Sequence, residues 1–167
     1  MDEARVGQQG TLTRVWAKTG SRPTAVKQCE YDWLLLWAAA ERASGASHAI
    51  LSPTVDAGLM GLFLEGFAKL LAPDEHAVLV LDNAGWHVAK ALKLPANVTL
   101  LFLPPYSPEL NPAERLWQWL RSHHLSNRVF ADYDDLLDKC ESAWKALDAA
   151  TIKSICACSW AERALQT

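Results

Sequence analysis

The feature that most constrains this chain is a pair of short apolar runs, residues 78–81 and 98–103, separated by only the sixteen residues 82–97. Both runs are aliphatic and rich in β-branched side chains, the composition of buried strands. Side-by-side parallel strands connected through a short helix are the expected arrangement. Each run ends beside a carboxylate: Asp82 closes the first, and Glu114 opens the helix that follows the second. In open α/β sheets ligands bind outside the carboxyl ends of the strands, so both acids are expected at a functional edge.

The bulk composition narrows the class. With 167 residues, half of them hydrophobic, the chain has material for one packed core. No apolar run approaches the roughly eighteen residues that span a bilayer. The opening MDEARVGQQG lacks the apolar stretch of a secretory signal. Cys29, Cys140, Cys156 and Cys158 have neither the density of a disulfide framework nor the spacing of a zinc site, and read as buried free thiols in a reducing cytoplasm. A net charge of −3 argues against a self-sufficient nucleic-acid binder. The charge is unevenly spread, however. Residues 1–28 carry Arg5, Arg14, Lys18, Arg22 and Lys27 against Asp2 and Glu3, while the tail from Val129 onward is acidic. Phosphate binding and ordinary solvated charge both fit that pattern.

The order of elements follows from periodicity and punctuation. Residues 12–17 read as a strand with a turn at Gly20-Ser21-Arg22-Pro23. Residues 32–40 (DWLLLWAAA) read as a central strand buried on both faces, and residues 48–52 as a further strand ended by Pro53. Asp56 is placed to cap a helix in which Leu59, Leu62, Phe63, Phe67, Leu70 and Leu71 recur with helical period, ended by Pro73-Asp74. Helices are expected over 84–92, 112–122, 133–147 (capped by Asp132) and 151–158. The sum is one domain with a mixed sheet, antiparallel first and parallel later.

Taken locally, the two acids have modest readings. Asp82 heads Asp-Asn-Ala-Gly, a fair cap for a following helix. Glu114 stands third in Asn-Pro-Ala-Glu, which reads as a capping box with asparagine in place of serine, and capping is the simpler local account. Against this, Pro104, Pro105 and Pro108 stiffen the preceding loop and place the helix start accurately. A further acidic pair, Asp2-Glu3, opens the chain. Carboxylates and water suit magnesium or manganese, and two such ions can activate a nucleophile and stabilise the leaving oxygen of a phosphodiester.

The strings DNAGWH and LPPYSPELNPAERLW, with DEARVG and RVWAKTGSRP near the start, resemble the catalytic domain of DDE-type insertion-sequence transposases related to the Tc/mariner group. The resemblance extends from Asp2 to about Trp160. It implies a ribonuclease H-like (retroviral integrase-like) α/β fold, a mixed five-stranded sheet flanked by helices. It also implies that Asp2, Asp82 and Glu114 are the catalytic acids and hold two Mg2+ (or Mn2+) ions. The implied reaction is cleavage at transposon ends followed by attack of the freed 3′-hydroxyl on target DNA, usually at a TA dinucleotide. Arg5, Arg14, His87, Arg115 and Arg121 are the candidate DNA contacts, Arg128 is a further basic position, and His87 is alternatively an orienting or buried structural residue. The expected assembly is a homodimer, and the expected location the bacterial cytoplasm. Relatives carry an N-terminal helix-turn-helix region that is not seen in 1–167, which fits a split enzyme joined to an upstream DNA-binding frame, a mis-assigned start or a decayed remnant. In such relatives apolar residues precede the first acid, so the first strand here is expected to be truncated. Two other functions remain open: a non-catalytic transposase remnant acting as an interaction module, and a nuclease of the same fold without strand transfer. Trp117 shares a helix face with Ala113, Leu116 and Leu120, and core packing is the expected role for it and the remaining tryptophans.

Overall fold

The computed structural model describes residues 1–10 and 12–157. Strands β1 (Asp2–Gly7), β2 (Trp33–Ala40) and β3 (Ser47–Ser52) form an antiparallel sheet in the order β1-β2-β3. Register pairs Asp2 with Ala38 and Gly7 with Trp33 across β1 and β2, and Leu35 with Ser52 across β2 and β3. After helix α1 (Ala57–Ala68), strands β4 (Ala77–Leu81) and β5 (Val98–Phe102) pair in parallel, Ala77 opposite Val98 and Leu81 opposite Phe102. Helices α2 (Ala113–Leu120), α3 (Tyr133–Lys145) and α4 (Ala149–Ile155) complete the described chain.

The apolar run of β2 is buried on both faces, as its composition dictates. Leu34, Leu36 and Ala38 face one way, packing with Ala4 and Val6 of β1 against Leu116, Trp117 and Leu120 of α2 and Leu136 and Cys140 of α3. Trp37 and Ala39 face the other way, onto Met60, Phe63 and Leu64 of α1 together with Leu79 and Leu81 of β4. The sheet is thus a layer between α1 and the α2–α4 group. Three helices begin at aspartates whose carboxylates accept a backbone N–H: Asp56 from Leu59 (2.9 Å), Asp132 from Asp135 (2.8 Å) and Asp148 from Thr151 (2.7 Å).

Several expectations need correction. The five strands do not form one continuous ladder. The antiparallel and parallel pieces meet through Met1, whose ammonium donates to the Val80 carbonyl at 2.7 Å. β1 runs on past that point, so only its start lies beside β4 and no ladder of paired residues forms. Residues 12–17 are not a strand; the Asn127 side chain donates to the Thr13 carbonyl and accepts from its N–H, so one amide satisfies the backbone where a partner strand would. Trp16 in this arm is fully exposed and Trp33 is substantially so, against the expectation of core positions. Cys29 is likewise exposed, whereas Cys140 and Cys156 are buried. Residues 84–92 form successive turns rather than a helix. The second core helix, expected over 112–122, starts at Ala113 and passes at Arg121 into a π-helical turn, Arg121–Leu125. The last helix spans Ala149–Ile155, and Cys158 lies outside the described residues. No described helix is long and apolar enough to cross a membrane.

The β2–β3 turn rests on Gly45, which has φ +76° and sits so close to the Ala149 backbone at the start of α4 that a Cβ would collide with it. Gly45→Ala is expected to cost at least about 2 kcal/mol, combining left-handed strain with a backbone clash. A urea denaturation midpoint unchanged by this substitution would contradict the packing of the turn on α4.

Candidate active site

Of the acids singled out from the sequence, Asp2, Glu3 and Asp82 lie where β1, β4 and the loop after β4 meet, and Glu114 stands in the first turn of α2. Asp2 and Glu3 are successive residues of β1 and so point to opposite faces of the sheet. Asp2 turns toward α2, where its Oδ2 accepts the Trp117 indole N–H at 2.9 Å. Glu3 turns toward the loop after β4, where its Oε1 lies 2.8 Å from His87 Nε2. The other imidazole nitrogen, Nδ1, lies 2.8 Å from Asp82 Oδ1 and 3.2 Å from the Asp82 carbonyl. Since Met1 donates to Val80, two residues before Asp82, the strand carrying Asp2 and the strand end carrying Asp82 are neighbours.

Electrostatics ties the group together. Desolvation by burial pushes the Asp2 carboxyl up to about 6, with the Glu3 and Glu114 charges adding to the rise and the Trp117 hydrogen bond opposing it. Burial lowers the Met1 ammonium from its usual value, while Asp2, Glu3 and Asp82 pull it the other way, so these acids share one neighbourhood. Burial would also lower His87, but the hydrogen bond and charge of Glu3, followed by Asp82, outweigh it and hold the imidazole above its ordinary value.

The capping accounts of the two acids are only partly realised. Asp82 Oδ1 does accept the Ala84 N–H at 3.0 Å, yet no helix follows it. The Asn111 side chain accepts from Ala113 N–H at 3.2 Å. The reciprocal half of a capping box is absent, because the Asn111 N–H goes to the Pro108 carbonyl at 2.9 Å. The Glu114 carboxylate, in the first turn of α2, takes no hydrogen bond among the described residues. Tyr106, at the tip of the proline-rich loop, adopts φ 57° and is fully exposed.

Among the described residues no three acidic, histidine or cysteine side chains converge as a ready-made metal cage. The hydrogen bonds above hold Asp2 and Asp82 separately, Asp2 by the helix and Asp82 by the loop. The available donors are nonetheless all carboxylate oxygens, a hard set that suits magnesium or manganese.

The basic candidates fall into different places. Arg5 is exposed and lies over the Trp33 ring, 5.2 Å from its centroid. Arg5 and Arg121 line a cavity of about 360 Å³ with Tyr31 and Trp33. Arg14 and Arg128 are exposed, and Arg115 donates to the Ala157 carbonyl at 2.6 Å. His87 is buried with both ring nitrogens engaged, so it does not present an edge to DNA as one of its expected roles required. Sequence reasoning missed Glu3 as the His87 partner and Trp117 as the Asp2 donor. Alternation along β1 and the three-residue step from Glu114 to Trp117 on α2 were the available signals.

The model of the DDE superfamily endonuclease family matches residues 1–137, and the chain belongs to that family. It is 43% identical over 133 residues to an uncharacterized protein, y4pE/y4sA, of Sinorhizobium fredii (strain NBRC 101917 / NGR234), covering 78% of this chain and 98% of that protein. The fold is similar to that of about half of the mariner transposase Mos1 chain. A paired-end complex with the left transposon end superposes with TM-score 0.70 at 18% identity, covering 92% of this chain and 49% of the Mos1 chain. The Mos1 mariner paired-end complex with Mn gives TM-score 0.69 at 18% identity, covering 93% and 50% respectively. The chain therefore spans about half the length of the Mos1 chains it matches.

The Asp2 environment makes a stability prediction. A carboxyl whose folded pKa lies above its unfolded value favours folding only while protonated. That contribution is fully present below about 3.8 and is lost as pH rises through about 6. Asparagine keeps the acceptor for Trp117 without the charge. In the absence of divalent metal, Asp2→Asn is expected to stabilise the chain by roughly 2 kcal/mol near pH 7.5 and by little near pH 4, read from denaturation midpoints. An equal effect at both pH values would contradict a buried, charge-crowded Asp2.

Proposed function

We propose that this chain is the ribonuclease H-like catalytic region of an insertion-sequence transposase, cutting DNA at the ends of its element and joining the freed end to target DNA. The proposal is supported by membership of the DDE endonuclease family, by Asp2 and Asp82 lying on neighbouring strand ends, and by the Glu114 charge acting on Asp2 from α2. Mos1, whose fold it shares, has been captured with transposon ends and with Mn or Mg.

In this reading Asp2, Asp82 and Glu114 hold two Mg2+ or Mn2+ ions. Bound there, the ions would supply an activated oxygen nucleophile and charge stabilisation for the departing oxygen of a phosphodiester. The residues of the chain do the placing. The Trp117 indole fixes one oxygen of Asp2, and a cation beside that carboxylate would offset the burial and, after it, the neighbouring charges that raise its pKa. The proline-braced loop delivers Glu114 on the first turn of α2, where its carboxylate has no competing partner among the described residues. Arg5 and Arg121 meet DNA phosphates along the face next to β1, and the exposed Arg14 is a further phosphate contact, compensating for an acidic chain. The chain acts as a homodimer with a separate or fused end-reading segment, and strand transfer selects TA.

The competing reading is a non-catalytic interaction module, favoured by the lack of a converged cage among the described residues. Metal and activity separate the two. The proposal expects Mg2+- or Mn2+-dependent nicking of DNA bearing the element's ends, reduced at least about 100-fold by Asp82→Asn or Glu114→Gln with folding retained. It also expects Mn2+ to raise the melting temperature of the wild-type chain, and less so that of either variant. Wild-type nicking by both variants overturns the assignment. Absence of metal-induced stabilisation together with self-association favours the interaction module. Joined products, as opposed to cuts alone, distinguish a transposase from a nuclease.

A further inference from the structure

Residues 84–92 carry a sequence expected to be helical and form turns instead, with the His87 side chain turned back toward Asp82 and across to Glu3. Its Nδ1 faces two oxygens of Asp82, the carbonyl at 3.2 Å and Oδ1 at 2.8 Å. A carbonyl oxygen only accepts, so Nδ1 carries hydrogen and is the donor. Nε2 lies 2.8 Å from Glu3 Oε1, on a glutamate whose side chain is only 5% exposed. The imidazole itself is entirely buried. Asp82, by contrast, is 57% exposed at its side chain and stands at the end of a strand, where an unrestrained carboxylate rotates freely.

Two donors converge on a single oxygen of that exposed group. His87 Nδ1 and the Ala84 N–H both reach Asp82 Oδ1, at 2.8 and 3.0 Å. Oδ2 has no hydrogen-bond partner among the described residues. Clamping Oδ1 fixes both the torsion of the carboxylate and the identity of the oxygen left over. Glu3 completes the device from below, since a buried imidazole with one free nitrogen would have no reason to hold a single orientation. The consequence for β1 is specific: Asp2 and Glu3 are adjacent, one facing the α2 side and the other facing the imidazole that restrains Asp82. One strand thereby sets the position of two acids from different parts of the chain.

From this arrangement we infer that His87, anchored by Glu3, is a positioning residue that holds Asp82 Oδ1 so that Oδ2 is presented to a divalent cation. The inference rests on the reading of Asp82 as a metal ligand. Groups that orient a metal ligand from behind typically change affinity or activity by about 10- to 100-fold when removed.

Asparagine and glutamine separate positioning from simple space-filling. An asparagine amide occupies roughly the place of Nδ1, and a glutamine amide roughly that of Nε2. His87→Asn keeps a donor for Asp82 and loses Glu3; His87→Gln keeps the Glu3 contact and loses Asp82. Mn2+ binding to the full chain, followed by electron paramagnetic resonance, is the primary readout, with Mn2+-dependent nicking alongside. The expected result is an affinity for His87→Asn within about 3-fold of wild type and a loss of about 10-fold or more for His87→Gln. Equal losses in the two variants, or wild-type binding by His87→Gln, overturn the inference. If circular dichroism shows either variant unfolded, a cycle of Glu3→Ala and Asp82→Ala carries the test. Glu3→Ala should weaken Mn2+ binding in the wild-type background and have no further effect once Asp82 is gone, whereas additive losses overturn positioning. Asp82→Asn serves as the control for the underlying reading. Should it bind and nick like wild type, the metal assignment itself fails; should it fail while His87→Gln behaves as wild type, only the positioning inference falls.

Discussion

The placement of everything in this molecule depends on how β1 is held between two unlike neighbours. Along one side it has a full antiparallel ladder with β2. Toward β4 the backbone contact is the Met1 ammonium donating to the Val80 carbonyl. What the ladder does not provide there, side chains do: Glu3 to His87 joins β1 to the loop after β4, and Asp2 to Trp117 joins it to α2. Both contacts are polar, short and largely shielded, so each is stronger than its counterpart on the surface. The same acids that crowd the junction therefore also hold it together, and site geometry and strand placement are one problem.

The two hydrophobic clusters give this junction its rigidity. α1 packs on one face of β2 through Phe63, Met60 and Leu64, and α2 with α3 on the other through Leu116, Trp117 and Leu136. Trp117 belongs to both worlds, its ring part of the core and its nitrogen bonded to a carboxylate. An amphipathic aromatic of this kind carries the order of a packed interior to a charged group that would otherwise sample many positions.

Much of the fold was legible because its signals are local. The two-sided apolar run of β2, the period of Leu59 to Phe67 on α1, and the aspartates before α1 and α3 each dictate an element without help from elsewhere. The parallel pair β4–β5 is the arrangement expected of the two apolar runs. The failures have one physical pattern. Residues 12–17 alternate like a strand, but Asn127, more than a hundred residues away, takes the backbone groups that a ladder would use. Residues 84–92 have helix-compatible composition, but His87 turns back to Asp82 and across to Glu3. Side chains competing for backbone geometry are invisible to periodicity when the partner is remote. For the site, Asp82 and Glu114 stood out by position and by family motif, whereas their supporting partners depended on which face of β1 or α2 each residue occupies.

The parallel pair has a further property that follows from how the layers stack. α1 covers the face carrying Leu79, Leu81 and Val98, but the α2–α4 group lies over β1 and β2. On the opposite face of β4 and β5, Val78 and Leu101 remain more than half exposed. β5 also has no described strand beyond it, so its outer row of amides and carbonyls is open. A wet aliphatic face next to an open edge is a template for pairing with another extended segment. The parallel end is thus where the fold brings apolar side chains and strand backbone without a described partner together at the surface.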